Sequence, residues 1–223
     1  MSFGMVAASY LTVIPGGWQN RTVLTGSSVD PNGTNSHTCT FTPASSGNFL
    51  VAIVAGSVTS TTPAGWTLAV SAINYCGLYV FTKTASAGEN SFATTHNASN
   101  YAVRGIVYEF PAGTTVLGSN FETGVGGGDI TGPSVAGLTG TYAIVAARCH
   151  VLTTPAGAMN ATWTTPAVED YEEFVGDTGT AGVGLSVAYQ SSVTGGSFAC
   201  AYNMTWDGTG SDTGEVVALA LSN

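Results

Sequence analysis

The sequence predicts an all-β protein, an antiparallel β-sandwich of the jelly-roll kind that is built from two degenerate repeats. Short segments rich in β-branched and aromatic residues alternate with Gly- and Pro-containing turns. The same series of strand and turn signals occurs twice in the same order. Sustained apolar spacing of three and four residues, the mark of a helix, is absent. Together these observations favour antiparallel sheets packed face to face.

The first repeat covers about residues 38–110. Its strand signals fall at 37–41, 49–55, 66–70, 77–83, 91–95 and 103–110. The run 49–55 is apolar on both faces, which predicts a central strand that is covered on both sides. The turn Thr62-Pro63-Ala64-Gly65-Trp66 precedes a strand in which Trp66, Leu68 and Val70 should share one face. We expect Trp66 to pack in the core beside this turn.

The second repeat covers about residues 140–221. Its signals fall at 142–147, at the turn Thr154-Pro155-Ala156-Gly157, and at 183–189, 197–202 and 216–221. The clearest alternation in the chain places Val183, Leu185, Val187 and Tyr189 on one face of a strand.

The repeats define the predicted domain organisation. Residues 1–35 form an N-terminal arm, residues 36–223 form the sandwich, and residues 111–139 link the two repeats, although 116–117 and 134–136 could pair as edge strands. A half of about 70 residues would bury little surface alone, so we favour one sandwich with a shared core. Two separate domains are the alternative.

The charge composition limits the partners of the chain. Only 8% of its residues are charged, against about 25% in an average soluble domain. Four basic and 13 acidic residues give a net charge of −9, which disfavours binding to nucleic acid or to an anionic membrane. No apolar run approaches the ~20 residues of a membrane span, and the first residues lack a secretory signal pattern. A weakly charged surface suits a permanent protein assembly or an extracellular adhesin.

The second repeat carries an acidic insertion. Fifteen residues separate Gly65 from Val80, whereas thirty separate Gly157 from Val187. We predict that this insertion projects as an interaction loop, because binding residues often lie on loops held by a rigid scaffold. The candidate interaction residues are Trp163, Glu169, Asp170, Tyr171, Glu172, Glu173, Phe174 and Asp177.

Three segments of the first repeat resemble a β-sandwich module of tailed-bacteriophage virion proteins. They are Gly47-Asn48-Phe49-Leu50-Val51-Ala52, Thr62-Pro63-Ala64-Gly65-Trp66-Thr67 and Leu78-Tyr79-Val80-Phe81-Thr82-Lys83. In that module a "GDLLVA" strand, a "PPAGWT" turn and a "LAVY" strand are followed by a degenerate second copy. The resemblance covers about residues 40–221 and departs from the pattern at Asn48, Thr62 and Ala158. It implies a minor tail or capsid-decoration protein and carries no catalytic residues.

Four cysteines, Cys39, Cys76, Cys149 and Cys200, leave three interpretations open. The neighbours His37 and His150 suggest zinc, but the spacing is not that of a structural zinc site. Disulfides are a second possibility. We favour buried thiols that behave as small hydrophobic residues.

Other candidate chemistry depends on carboxylates. The acidic insertion is a calcium-loop candidate, but it lacks the Asp/Asn-Gly order of such loops, so a solvated or protein-contacting loop is favoured. Glu109 and Glu215 lie at similar places in the two repeats and are the candidate pair for glycoside hydrolysis. Strand-end carboxylates usually meet water, so we expect no catalytic residue, cofactor or metal.

The sequence therefore predicts a non-enzymatic structural protein of a bacteriophage virion, assembled in the host cytoplasm. Its expected partners are other virion proteins within an oligomeric particle, with no nucleic acid and no membrane insertion. The alternative is a carbohydrate-binding adhesin that contacts the host surface through Trp163 and Tyr171. Trp163, beside the insertion, is the best candidate among the tryptophans for a surface platform.

Overall fold

The computed structural model contains β-strands and, in the residues that it describes, no helix. The described residues are 22–30, 36–41, 44–56, 60–74, 76–95, 103–125, 130–152, 159–163, 167–177, 180–194, 197–206 and 213–222. The strands are β1 Thr22–Asp30, β2 Ser36–Thr40, β3 Phe49–Gly56, β4 Thr67–Ile73, β5 Gly77–Thr84, β6 Ser91–Thr95, β7 Val103–Phe110, β8 Val116–Val125, β9 Ile130–Ala136, β10 Thr141–Leu152, β11 Met159–Trp163, β12 Val168–Asp177, β13 Thr180–Thr194, β14 Ser197–Trp206 and β15 Thr213–Leu221.

Two large antiparallel sheets have the same strand order. The first runs β1-β7-β3-β5-β4, and the second, read from its other end, runs β8-β15-β10-β13-β12. Each strand of the first sheet therefore corresponds to one strand of the second, in chain order, with β11 as an additional strand. The duplication in the sequence is thus accompanied by a duplication of topology.

Each large sheet carries a small sheet on its outer face. The pair β2-β6 covers the first large sheet, and β11-β14-β9 accompanies the second. Within each repeat the first strand pairs with the last and the second pairs with the last but one, as in a jelly roll. The molecule consequently has four layers, with the two large sheets in the middle.

The alternation of side chains along β3 explains why this strand is apolar throughout. Val51, Ile53 and Ala55 face the second large sheet and belong to the central core. Leu50 and its even-numbered neighbours face the small sheet and belong to a separate core of the first repeat. Because both faces are covered, every position from Leu50 to Gly56 is buried.

The central core joins the two repeats. It contains side chains of β3, β5 and β7 together with side chains of β10, β13 and β15. The predicted face of Val183, Leu185, Val187 and Tyr189 is confirmed, since all four belong to this core. The prediction of antiparallel sheets packed against each other is also confirmed.

Three segments differ from the sequence-based assignment. Residues 22–30, predicted as arm, form β1 beside β7, and the predicted linker 111–139 contains β8 and β9. In β4 a bulge between Leu68 and Val70 breaks the alternation. Leu68 is therefore exposed while Val70 is buried, so the prediction that these two residues share a face was wrong.

Candidate functional site

The predicted interaction loop is a strand. Residues 168–177 form β12, which pairs with β13 and is the last strand of the second large sheet. The expectation of a projecting loop was therefore wrong. Acidic side chains do not prevent a segment from pairing through its backbone, and they are typical of strands at the edge of a sheet. An extended strand also spaces its residues about 3.3 Å apart, unlike the folded loop that encloses calcium.

Trp163, the predicted surface tryptophan, is buried. It ends β11, is only 5% exposed and packs in the core of the second repeat. Its indole Nε1 donates a hydrogen bond of 2.7 Å to Oγ of Ser186 on β13. An indole N–H removed from water needs such an acceptor, so the indole ring is held inside the sandwich and does not face solvent.

Ser186 connects Trp163 to the acidic strand. Its Oγ lies 3.5 Å from Oε2 of Glu169, at the outer limit of a hydrogen bond. Across the sheet Ser186 lies opposite Arg148 of β10, and both side chains are fully buried. The second repeat therefore contains a buried polar cluster of Trp163, Ser186 and Arg148, with Glu169 at its exposed end.

The remaining residues of the predicted site lie along β12. Tyr171 is partly buried and packs against the central core, and Asp170 is half-buried. Glu172, Glu173, Phe174 and Asp177 belong to the same strand, and the structure describes their backbone pairing with β13. Trp163 contacts Ser186 inside the sandwich, whereas Glu169 and Tyr171 reach the edge. Trp163 thus does not share a surface with Glu169 and Tyr171.

Glu109 and Glu215, the candidate catalytic pair, are not close together. Glu109 Oε1 accepts hydrogen bonds from the backbone N of Ser45 at 2.6 Å and from Asn48 Nδ2 at 2.9 Å. Glu215 is fully buried, and its Oε2 accepts a bond of 3.2 Å from the backbone N of Gly124. The Glu109 carboxylate thus stabilises the turn at Ser45 and Asn48, and the Glu215 carboxylate binds the end of β8 at Gly124.

The structural counterpart of Glu215 is Arg104. Ile106 on β7 and Val217 on β15 both face the central core, and Arg104 and Glu215 each lie two residues before them. By alternation, both side chains point towards the opposing large sheet, and both are fully buried. The two repeats thus place opposite charges at equivalent positions.

Two of the cysteines are paired. Cys76 and Cys149 form a disulfide that links the two large sheets through the central core, so the favoured interpretation as free thiols was wrong for this pair. Cys39 is a buried thiol with its Sγ 3.4 Å from Nε2 of His37. Within the described residues, no three His, Cys, Asp or Glu side chains are placed to hold a metal ion. The Cys200 side chain and His96 lie outside the described part.

One feature of the surface was not predicted from the sequence. The exposed large hydrophobic side chains of the described residues all lie on β4 and β8. They are Leu68, Ile73, Val116, Leu117 and Phe121, with exposed fractions of 38–49%. We call these five residues the apolar edge. The signal that could have revealed it is the uncharged stretch 114–121, which interrupts a segment predicted as linker.

These features define a duplicated antiparallel β-sandwich with one acidic and one apolar edge. Compared with known proteins, the chain matches no family model, no curated protein and no solved structure. In the described residues no helix is long and apolar enough to cross a membrane. Inferences on function therefore depend on the chain's own residues.

Proposed function

We propose that the chain is a non-enzymatic structural protein of a bacteriophage virion, a minor tail or capsid-decoration component that acts through protein–protein contacts. The observation that carries this proposal is the contrast between the edges of the sandwich. Within the described residues the exposed large hydrophobic side chains are confined to β4 and β8, whereas β12 carries five acidic residues. Exposed large apolar side chains are typical of protein contact sites.

The proposal of a virion protein depends on the sequence resemblance as well as on this surface. The segments that carry it are β3, the Pro63–Gly65 turn and β5, and in this fold β3 and β5 contribute to the core of the first repeat. Trp66 of the turn is buried as expected, with its ring 5.0 Å from that of Phe92. The Cys76–Cys149 disulfide suits a protein that leaves the reducing cytoplasm, as a released particle does.

The test is the composition of particles made by the genome that encodes this chain. Peptide mass spectrometry of gradient-purified particles should find the chain at a fixed ratio to the major capsid protein. Immunogold labelling should then place it on the tail or on the capsid. A chain that stays in the soluble fraction after particles are removed would contradict the proposal. A non-structural protein of the same genome is the control for contamination.

The adhesin alternative receives no support from Trp163. A sugar-stacking ring must present its face to solvent, and this indole is buried and bonded to Ser186. Tyr171 is the remaining aromatic residue of that hypothesis whose side chain is described, and part of it packs on the central core. A glycan-array signal that is lost in Tyr171→Ala would favour the adhesin over the structural role.

A further inference from the structure

We propose that the Cys76–Cys149 disulfide is a redox lock, by which we mean that its two sulfur atoms exchange with a thiol or disulfide reagent only when the two large sheets separate. Both cysteines are 0% exposed and belong to the central core. They come from different repeats, so the bond joins the two middle layers of the molecule. This inference depends on the fold alone and is independent of the virion assignment.

Cys149 is enclosed by its own sheet and by the opposite one. It belongs to β10, the middle strand of the second large sheet, and lies opposite Leu185 of β13 and Glu215 of β15. Both of these neighbours are fully buried. The Cys149 side chain faces the central core, to which the first large sheet contributes the other half. Exposure of this sulfur atom therefore requires the first large sheet to move away.

Cys76 lies in a hairpin whose flanking residues also belong to the core. It connects β4 to β5, and its backbone O accepts a hydrogen bond of 3.2 Å from the backbone N of Asn74. Ala72 of β4 and Leu78 of β5 are fully buried in the central core. Movement of the hairpin away from the core would expose both of these side chains to water. We therefore expect the hairpin to leave the core together with its sheet rather than by itself.

Thiol–disulfide exchange needs direct contact between sulfur atoms. A thiolate attacks one sulfur of the bond and expels the other as a thiolate, which leaves a mixed disulfide. With dithiothreitol, the second thiol of the reagent then attacks the mixed disulfide, so the reagent is oxidised to a cyclic disulfide and both cysteines become thiols. Since Cys76 and Cys149 are 0% exposed, the reagent has no access to either sulfur atom in the closed fold. Reduction must therefore wait for the core to open.

The same barrier applies to formation of the bond. In the reduced chain both thiols would lie in the same closed core, out of reach of an oxidant such as glutathione disulfide. Oxidation begins when one cysteine thiolate displaces a glutathione thiolate, and it ends when the other cysteine displaces the second one. The two protons lost by the cysteines are taken up by the released thiolates. The folded chain therefore keeps the redox state in which its two halves closed.

The kinetics of reduction test the redox lock. The oxidised wild-type chain is treated with dithiothreitol, quenched with acid and alkylated in urea, and peptide mass spectrometry then gives the state of Cys76 and Cys149. We expect reduction to be at least about a thousandfold slower than that of an exposed disulfide, because a folded domain is open for roughly 10⁻³ of the time or less. The exposed control is Ala93→Cys, at an exposed position on β6, carrying a mixed disulfide with glutathione.

Two further measurements distinguish opening of the whole core from a local movement of the hairpin. In urea below the unfolding midpoint, the logarithm of the reduction rate should rise with the slope of the global unfolding transition. Leu219→Ala truncates a fully buried core residue on β15 and should accelerate reduction roughly tenfold or more. The matched control is Leu68→Ala, the same truncation at a side chain that is 42% exposed, and it should change the rate much less. Circular dichroism establishes that each variant is folded.

The opposite direction gives an independent readout. A chain refolded in the reduced state should stay reduced in glutathione disulfide, whereas the same chain in denaturing urea should form the bond. A native disulfide that is reduced as fast as the Ala93→Cys control would overturn the proposal. A reduction rate that responds neither to urea nor to Leu219→Ala would do the same, because the hairpin would then open by itself. The urea dependence needs no variant, and absence of the chain from virions would leave these results untouched.

Discussion

Polar residues that the sequence alone would place at the surface form hydrogen bonds with other parts of this fold. Trp163 donates to Ser186, Glu109 closes the turn at Ser45 and Asn48, and Glu215 binds the backbone of Gly124. A buried polar group that loses its partner costs more than the bond itself contributes, because the remaining group is still removed from water. Such residues specify the packing of the core.

The Trp163–Ser186 bond gives the first prediction. Ser186→Ala leaves the buried indole N–H without its acceptor, so we expect the free energy of unfolding to fall by about 1–3 kcal/mol. Urea denaturation followed by far-UV circular dichroism measures it. In a Trp163→Phe background, which has no N–H, the same substitution should cost clearly less. Equal costs in the two backgrounds would show that the bond does not stabilise the fold.

Tyr79 gives a prediction on alkaline stability. Burial raises the pKa of Tyr79 from 10 to about 12, against a smaller lowering by a backbone hydrogen bond to Ser60. Since the folded pKa is the higher one, the stabilisation is complete below pH 10 and is lost as the pH rises from 10 to 12. Its upper limit is about 2.7 kcal/mol.

Tyr79→Phe tests this dependence. Urea denaturation of the variant and the wild type at pH 8 and pH 11 should show a smaller loss of stability with pH in the variant. Tyr171→Phe, at a partly exposed tyrosine, is the control. Burial also raises the pKa of Tyr142, so part of the alkaline loss should persist in Tyr79→Phe. An unchanged pH dependence would contradict the assignment to Tyr79.

At the scale of the elements, the small sheets are packed very closely on the large ones. β2 crosses β7 where Gly105 leaves room for the side chains of Cys39 and His37. A Cβ at Gly105 would lie 2.9 Å from Cys39 Sγ and 3.0 Å from His37 Nε2. A glycine is therefore required at position 105, because the side chains of β2 lie too close to leave room for a Cβ atom.

Gly105→Ala should destabilise the protein by about 1–3 kcal/mol, because the added methyl group overpacks the space between β2 and β7. Cys39→Ala removes the sulfur atom that is nearest to the new methyl group. The double variant should therefore be more stable than the sum of the two single losses predicts, as measured by urea denaturation. Strictly additive losses would mean that the layers do not meet at this position.

The elements also show which parts of the fold were predictable. Strands such as β3 and β13 have neighbours on both sides and two covered faces, so their sequences had to be apolar or strictly alternating. β1, β8 and β12 each have one ladder partner in the described residues, and backbone pairing places little demand on their side chains. Their Gly, Ser and acidic residues therefore resembled an arm, a linker and a loop.

The candidate site was less predictable than the strands because it depends on tertiary neighbours. Trp163 follows a polar segment, and its acceptor Ser186 lies 23 residues away on another strand. The exposure of Leu68 follows from a bulge that the alternating pattern does not reveal. Leu117 and Phe121 have the composition of core residues, and their exposure depends on where β8 ends the sheet.

At the scale of the whole molecule, the duplication produces a central core that belongs to neither repeat alone. Among the described residues, the apolar inner face of each large sheet is covered by the other sheet, so separating the repeats would expose both faces to water. Arg104 and Glu215 are buried on these same faces. The four layers should therefore unfold as one unit, and the Cys76–Cys149 disulfide connects the two halves of that unit.

The disulfide provides the last prediction. Its cysteines are separated by 73 residues, and closing a loop of this length in the unfolded chain corresponds to about 4 kcal/mol in the chain-entropy description. Reduction, or Cys149→Ala, should lower the urea midpoint, and hydrogen exchange should accelerate in β3 and β10 alike because the two halves share one core. Cys39→Ala is the control, because it removes a buried thiol that is not part of the disulfide. Reduction should lower its urea midpoint by the same amount as that of the wild type. Faster hydrogen exchange in only one repeat would mean that the halves unfold separately. A non-reducing peptide map in which the peptides containing Cys76 and Cys149 are not linked would exclude the disulfide itself.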